Sequence, residues 1–385
     1  MRCIVFVFIL SLTVIQACAQ QGDIFQDVGD NIASPTSMWI DVATNRLYLV
    51  NSNSRVLYNW QQGNFQVLDI TNPLAPTLIK SILTDSFSGE IYVDLAVLQA
   101  YVPNRFTADD QDTEDRLYTF NIDETAGADL LSFATSTLGR DSYAIACCYP
   151  ANRAWITTSL NELQYIDILS ADKAPSNLSL LATLDDGTTF SNSEVYHVVI
   201  RNNQAFLTRY YGGVFVIDLD EVGVAGAVPI DYYINDIPNP RGIAIDGDTL
   251  YVVGEGNEGG NWTRFVLILD VSTLTPLNTN TNTQKLDKDD DGLLQAFIEV
   301  EKSPQEVLLS TDYAFVTNLE SDTVSVVDRA AMLNVANLAV GDQPFSMGLY
   351  TTAGGVDQYL YVGNLEDNTL SIIDIPSLTV VATYP

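Results

Sequence analysis

Phe315-Val316-Thr317-Asn318, followed after a short polar turn by Asp322-Thr323-Val324-Ser325-Val326-Val327-Asp328, decides how this 385-residue chain folds. Each run is short, β-branched or aromatic, and bounded by Asn or Asp, which is the composition of a strand in a hairpin. Forty-six residues later the pair returns as Tyr361-Val362-Gly363-Asn364 and Asn368-Thr369-Leu370-Ser371-Ile372-Ile373-Asp374. Working toward the N-terminus, aromatic heads recur at Phe315, Tyr251, Phe206, Trp155, Tyr101 and Tyr48. From Tyr48 to Tyr361 the spacings are 53, 54, 51, 45, 64 and 46 residues. After each head a second run ends in Asp or Asn: Asp69, Asn121, Asp167, Asp218, Asp270, Asp328 and Asp374.

Seven copies of a unit of about 50 residues match the period of a propeller blade. Flanking strands complete each unit. Ser37-Met38-Trp39-Ile40 and Gly242-Ile243-Ala244-Ile245 precede the aromatic run, and residues 335–340 follow the Asp. Asp246-Gly247 and Asn202-Asn203 supply the tight turns between strands. No window carries a sustained 3.6-residue period, so helix should be nearly absent. The expected fold is all-β: a seven-bladed β-propeller of four-stranded antiparallel blades over residues 32–385. Residues 77–82 and 378–383 give the first and last blades their own outer strands. The ring should therefore close by packing, with residues 23–31 at most an added outer strand.

The motifs resemble known repeats. The Phe315 and Tyr361 units, with Ala339-Val340-Gly341-Asp342-Gln343-Pro344, are similar to the YVTN β-propeller repeat. Phe65-Gln66-Val67-Leu68-Asp69-Ile70-Thr71-Asn72-Pro73 with Ala75-Pro76 resembles the LVIVD repeat. The resemblance is strongest in the first, sixth and seventh units. It implies a fold; the matching residues are structural and carry no function by themselves.

Before the repeats lies an export leader. Arg2 is the only charge before Cys18, and residues 4–14 are almost wholly apolar. Eleven residues are too few to span a bilayer but suit a signal peptide. Ile15-Gln16-Ala17-Cys18 resembles a bacterial lipobox, which would make 1–17 the signal and leave Cys18 lipidated. Ala17-Cys18-Ala19 also fits ordinary cleavage after residue 19. Either way residues up to 31 form a tether. The expected location is exported, as an outer-membrane lipoprotein or in the periplasm or at the cell surface.

The chain carries 49 acidic against 17 basic residues, a net charge of −32. Nucleic acid and anionic lipid both need a basic footprint, so neither is expected as a surface partner. Membrane contact would come only through a lipid anchor, and a monomer is expected. One histidine and four cysteines, with no CxxCH, argue against zinc and covalent haem.

Against this acidity the arginines stand out. Arg55, Arg105, Arg140, Arg209 and Arg241 all fall in connections of one propeller rim. His197 lies on an inner strand of the blade that carries Arg209 and Tyr210. A rim bearing Arg105, Arg140, His197, Arg209, Tyr210 and Arg241 could take a protein partner or a small acidic or carbonyl ligand. A binding or scaffold module is the first reading, with chemistry not required. The alternative is a hydrolase similar to propeller lactonases, in which Arg209 and Arg241 would polarise a carbonyl and His197 would activate water. A quinoprotein dehydrogenase is a third, motivated only by the vicinal Cys147-Cys148. That pair could close as a disulfide or stay as two thiols. Carboxylates at Glu255, Glu258, Glu320, Asp322, Glu366, Asp367 and within 107–115 read as solvated surface.

The 64-residue spacing locates an insertion at 273–294, on the opposite rim. It contains Asp287-Lys288-Asp289-Asp290-Asp291-Gly292. Asp at positions 1, 3 and 5 and Gly at 6 open a calcium loop. Asp287, Asp289 and Asp291, the Leu293 carbonyl and the late Glu299 would hold a structural Ca2+, with Lys288 pointing outward.

Overall fold

The computed structural model describes residues 32–52, 63–84, 89–104, 115–125, 127–138, 142–158, 161–190, 194–225, 227, 229–258, 261–277 and 282–385. Among them are strands and turns and no helix. The strands fall into seven sheets, each a four-stranded antiparallel blade, with one further strand added in parallel to the fourth. From innermost to outermost strand, blade 1 runs from Pro35–Asp41 to Thr77–Leu83, and blade 2 from Tyr92–Asp94 to Phe133–Thr137. Blade 3 runs from Ile145–Cys147 to Ser176–Ser179, and blade 4 from Val195–Arg201 to Ile230–Asn235. Blade 5 runs from Pro240–Asp246 to Leu294–Glu299, blade 6 from Pro304–Leu309 to Leu333–Ala339, and blade 7 from Pro344–Thr351 to Thr379–Tyr384. Inner strands of successive blades pack side by side, and Pro344–Thr351 packs on Pro35–Asp41 to complete the ring.

Burial follows from this arrangement. The second and third strands of a blade are covered on both faces by the neighbouring blades, which is why they read as continuous apolar runs. Phe315, Val324 and Val326 of blade 6 share one cluster with Met347, Leu360 and Val362 of blade 7. Outer strands have one wet face and alternate, as Leu333–Ala339 does residue by residue.

The repeated polar residues have repeated jobs. The Asp or Asn closing each third strand accepts a backbone N–H two or three residues on. Examples are Thr71 N–H to Asp69, Asp123 N–H to Asn121, Ala330 N–H to Asp328 and Ser377 N–H to Asp374. These are Asx turns, which fix the hairpin into the outer strand. Asn318 Nδ2 donates to Thr323 and Ser325 Oγ, and Asn364 Nδ2 does the same to Thr369 and Ser371. Thr317 Oγ1 accepts the Glu306 N–H and donates to the Phe345 carbonyl of blade 7. Thr157 likewise accepts from Ala144 N–H and donates to Tyr196 of blade 4. The motif threonine is thus a latch between blades.

Blade closure uses no shared strand. Met38, Leu47 and Leu49 of blade 1 pack with Tyr361, Leu370 and Ile372 of blade 7. Ser346 Oγ donates to the Pro35 carbonyl at 2.9 Å. Gly348 lies against Met38 and Ile40, and a Cβ there would stand 2.8 Å from the Met38 sulfur.

The insertion in blade 5 departs from the repeat. Gln284–Asp287 adds a fifth strand to blade 4, parallel to Ile230–Asn235. The preceding segment is bonded to blade 4 by Leu277 N–H to Asp231 and Thr283 Oγ1 to the Ile230 carbonyl. The spacing located this insertion but gave no sign that it pairs with the neighbouring blade.

Candidate functional site

The latches define a level in the central channel. Thr157, Thr208 and Thr317 each accept the N–H of the inner-strand residue beside them: Ala144, His197 and Glu306. Strand registers place Ser37 and Ser346 at the same level in blades 1 and 7, and extending the registers of blades 2 and 5 by one or two residues brings Glu90 and Gly242 there. Three of these seven positions carry ionisable groups, on blades 2, 4 and 6. His197 Nδ1 lies 2.6 Å from Glu90 Oε1. Blade 3 separates their blades, so the contact reaches past blade 3 at the channel wall. Ala144, the blade 3 residue at this level, has only a methyl group and leaves the imidazole room. Tyr143 stands edge-on to the His197 ring at 5.4 Å.

Glu306 completes the set. It accepts the Met347 N–H, yet burial and the facing Glu90 carboxylate push its pKa well above the usual carboxylate range. Two carboxyls in one confined space do not both ionise readily. The arrangement therefore offers an oriented imidazole, a carboxylate that fixes its tautomer and a carboxyl disposed to hold a proton. His197 stands out in the sequence as the one histidine, whereas neither glutamate does. Aligning Pro240-Arg241-Gly242, Pro304-Gln305-Glu306 and Pro344-Phe345-Ser346 on their prolines would have placed Glu306 at this level.

The rim residues divide. Arg55, Arg105, Arg140 and Cys18 lie outside the described residues. Arg241 Nη1 donates to Gln305 Oε1 at 2.9 Å, toward blade 6. The Arg209 guanidinium sits 4.6 Å over the Phe190 ring and 5.7 Å from that of Tyr211. Tyr210 packs between Tyr196, at 5.3 Å, and Tyr211, at 4.8 Å. Tyr210 and Tyr211 are 42% and 53% exposed. Blade 4 therefore presents an open Tyr/Arg patch next to the strand that carries His197. Elsewhere on this rim the carboxylates cap backbone: Asp367 accepts from Asp342 N–H, and Asp322 from Gln343 N–H. Burial, then Asp322, Asp367 and Glu366, raise the Asp342 pKa.

The insertion turn is tightly bonded, and its first residue, Asp287, pairs with Asn235 at the end of the blade 4 outer strand, toward the rim of the tyrosine patch and not the opposite rim. Asp291 accepts the Asp287 N–H at 2.6 Å, and Lys288 Nζ lies 3.0 Å from Asp289 Oδ2. Lys288 is buried, not outward as the loop pattern implied, because the chain turns to cover it after the added strand. The Leu293 carbonyl accepts the Asp270 N–H, and Glu299 sits in the outer strand opposite Phe265. Asp236 and Asp287 share a hydrogen bond; burial, then that bond, raise the Asp236 pKa. Cys147 and Cys148 are joined as a vicinal disulfide at the end of the blade 3 inner strand.

Comparison with known proteins agrees on architecture. No family profile and no curated sequence matches the chain. Solved structures do. Hydrazine synthase of Kuenenia stuttgartiensis superposes with a TM-score of 0.62 at 13% identity, over 91% of this chain and 97% of that one. The β-propeller domain of Myceliophteria thermophila Cps50 (Swd1) gives 0.64 at 9% identity, over 88% and 96%. The computationally designed Ika8 protein gives 0.54 at 11% identity, over 92% and 90%. At these identities the likeness is one of fold, and the class of protein is a seven-bladed β-propeller.

Proposed function

We propose that the protein is a binding module that takes a partner on the rim carrying the blade 4 patch. The observation behind this reading is the pair of exposed tyrosines, Tyr210 and Tyr211, with Arg209 held between Phe190 and Tyr211. Tyr and Arg are among the residues that dominate interface energies: tyrosine buries a large rigid ring at low entropic cost, and a guanidinium makes several directed hydrogen bonds at once. A protein with accessible carboxylates, or a small acidic ligand, suits a guanidinium in so acidic a chain. The repeats are read as YVTN and LVIVD units, a reading supported by the Thr and Asn hydrogen bonds they make. The leader favours export and anchoring through Cys18. Capture from cell envelopes by the wild type, and its loss in Tyr210→Ala/Tyr211→Ala with an unchanged Tm, is the expected result. Equal capture by both would refute the patch.

A second reading is supported by His197 and Glu90 at 2.6 Å with Glu306 facing Glu90. Such a set suits general acid–base hydrolysis of a carbonyl ester or lactone, with His197 as base. In this reading Glu306 replaces the arginines as the group that serves the leaving oxygen. Lactone hydrolysis that persists in His197→Ala would exclude it. Calcium on the insertion turn is a further proposal, supported by the crowding of the Asp236 and Asp287 carboxyls.

A further inference from the structure

We propose that Cys147 and Cys148 form a thiol-exchange site that is opened by a dithiol, on the rim opposite the tyrosine patch. Four observations carry this. The two sulfurs are bonded to each other. Cys148 is exposed, whereas Cys147 is half-buried and packs against the core between blades 2 and 3. The Tyr92 hydroxyl lies 3.3 Å from Cys148 Sγ. A disulfide sulfur has no proton to give, so the phenol is the donor. Finally, Tyr92 is held in place. Trp39 meets its ring edge-on at 6.1 Å, and Tyr101 stacks on it at 6.0 Å.

The asymmetry assigns the order of events. An external thiolate can reach Cys148 Sγ; the bond to Cys147 breaks, and Cys147 leaves as a thiolate and takes up a proton. The result is a mixed disulfide on Cys148. With a monothiol, Cys147 stands next to that mixed disulfide and returns the attack, expelling the reagent. With a dithiol, the second reagent sulfur attacks the first and closes a cyclic disulfide. Cys148 then leaves as a thiolate, at the position where the Tyr92 O–H can hydrogen-bond to it. Two electrons pass from the dithiol to the cysteine pair, and its two protons end on the cysteines. Exchange rates depend on how well the leaving thiolate is stabilised. Tyr92 remains protonated for this purpose, since burial and then Asp94 raise its pKa.

The ligand class is therefore a small dithiol. The turn beyond the pair connects the event to the scaffold: Tyr149 accepts the Trp155 indole N–H through its carbonyl and donates its own hydroxyl to Asp220 of blade 4.

The test is alkylation of the folded full-length chain, read by peptide mapping of segment 141–153, which holds both cysteines and no others. Without reductant neither cysteine should be labelled. Dithiothreitol should expose both without unfolding, whereas an equal thiol concentration of glutathione should leave less than a tenth of the segment labelled or adducted. Tyr92→Phe should slow opening by dithiothreitol several-fold, with both cysteines still labelled at the end point. Labelling without reductant, opening only after denaturation, equal response to glutathione, or an unchanged rate in Tyr92→Phe would each overturn the proposal.

Discussion

Replacing Asp231 by Asn should stabilise the protein at neutral and alkaline pH and not at pH 4. Asp231 is 2% exposed on the outer strand of blade 4, beneath the insertion. Its carboxylate accepts the Leu277 N–H at 3.1 Å. Burial outweighs that bond, and with Asp218 and Glu221 it moves the pKa from 3.8 to about 7. A carboxyl whose folded pKa lies above the unfolded one holds its proton more tightly in the folded chain. Its stabilising contribution is complete below pH 4 and is lost as pH rises through 7. Three pH units at about 1.4 kcal/mol each set an upper bound near 4 kcal/mol for the loss. Asn keeps an oxygen for Leu277 N–H and turns an amide toward the acidic neighbours. With an unfolding entropy of roughly 2 cal/mol/K per residue, 2–4 kcal/mol corresponds to about 3–5 °C in Tm. Thermal melts of both proteins from pH 4 to pH 8 measure this. The gap between them should open across that range; parallel curves would refute burial as the cause of the raised pKa.

Thr317→Val should cost about 1–3 kcal/mol, because it leaves the Glu306 N–H and the Phe345 carbonyl without their latch; chemical denaturation measures it, and a loss below about 0.5 kcal/mol would show that the hydroxyl does not hold the blades together. Calorimetric titration with calcium should give heat in the wild type and none in Asp289→Ala/Asp291→Ala, and silence in both ends the calcium proposal. Cys18→Ser should move the protein from the membrane fraction to the soluble one; an unchanged distribution would count against lipidation.

Periodicity made the ring legible because every blade repeats one hydrogen-bonding job at one sequence position. Asp328 and Asp374 look alike in sequence because both cap the same turn. The channel was legible only in part. Lone His197 drew notice by its rarity, while Glu90 and Glu306 hid among 49 acidic residues. What distinguishes them is the blade-to-blade register, which brings residues more than a hundred positions apart to one level. The insertion shows the opposite limit. Its acidic pattern suggested a cation site, but its pairing with blade 4 depends on a tertiary contact with no local signature. Lys288 could not be placed for the same reason.

Six of the seven junctions between blades are crossed by the polypeptide, so separating those blades also stretches a covalent connection. The junction of blades 7 and 1 is not; it rests on Met38 against Gly348, the Ser346 bond to Pro35 and the Tyr361 hydroxyl on the Pro73 carbonyl. The molecule is in this sense a split washer. Residue 32 leads into blade 1 directly beside the split, and Ser34 N–H is bonded across it to Asn368. A pull applied through an anchored N-terminus would load this seam first and unzip blade 1 strand by strand, leaving the other six blades to open afterwards. Under such a load the ring would fail in a fixed order, set by where its seam lies.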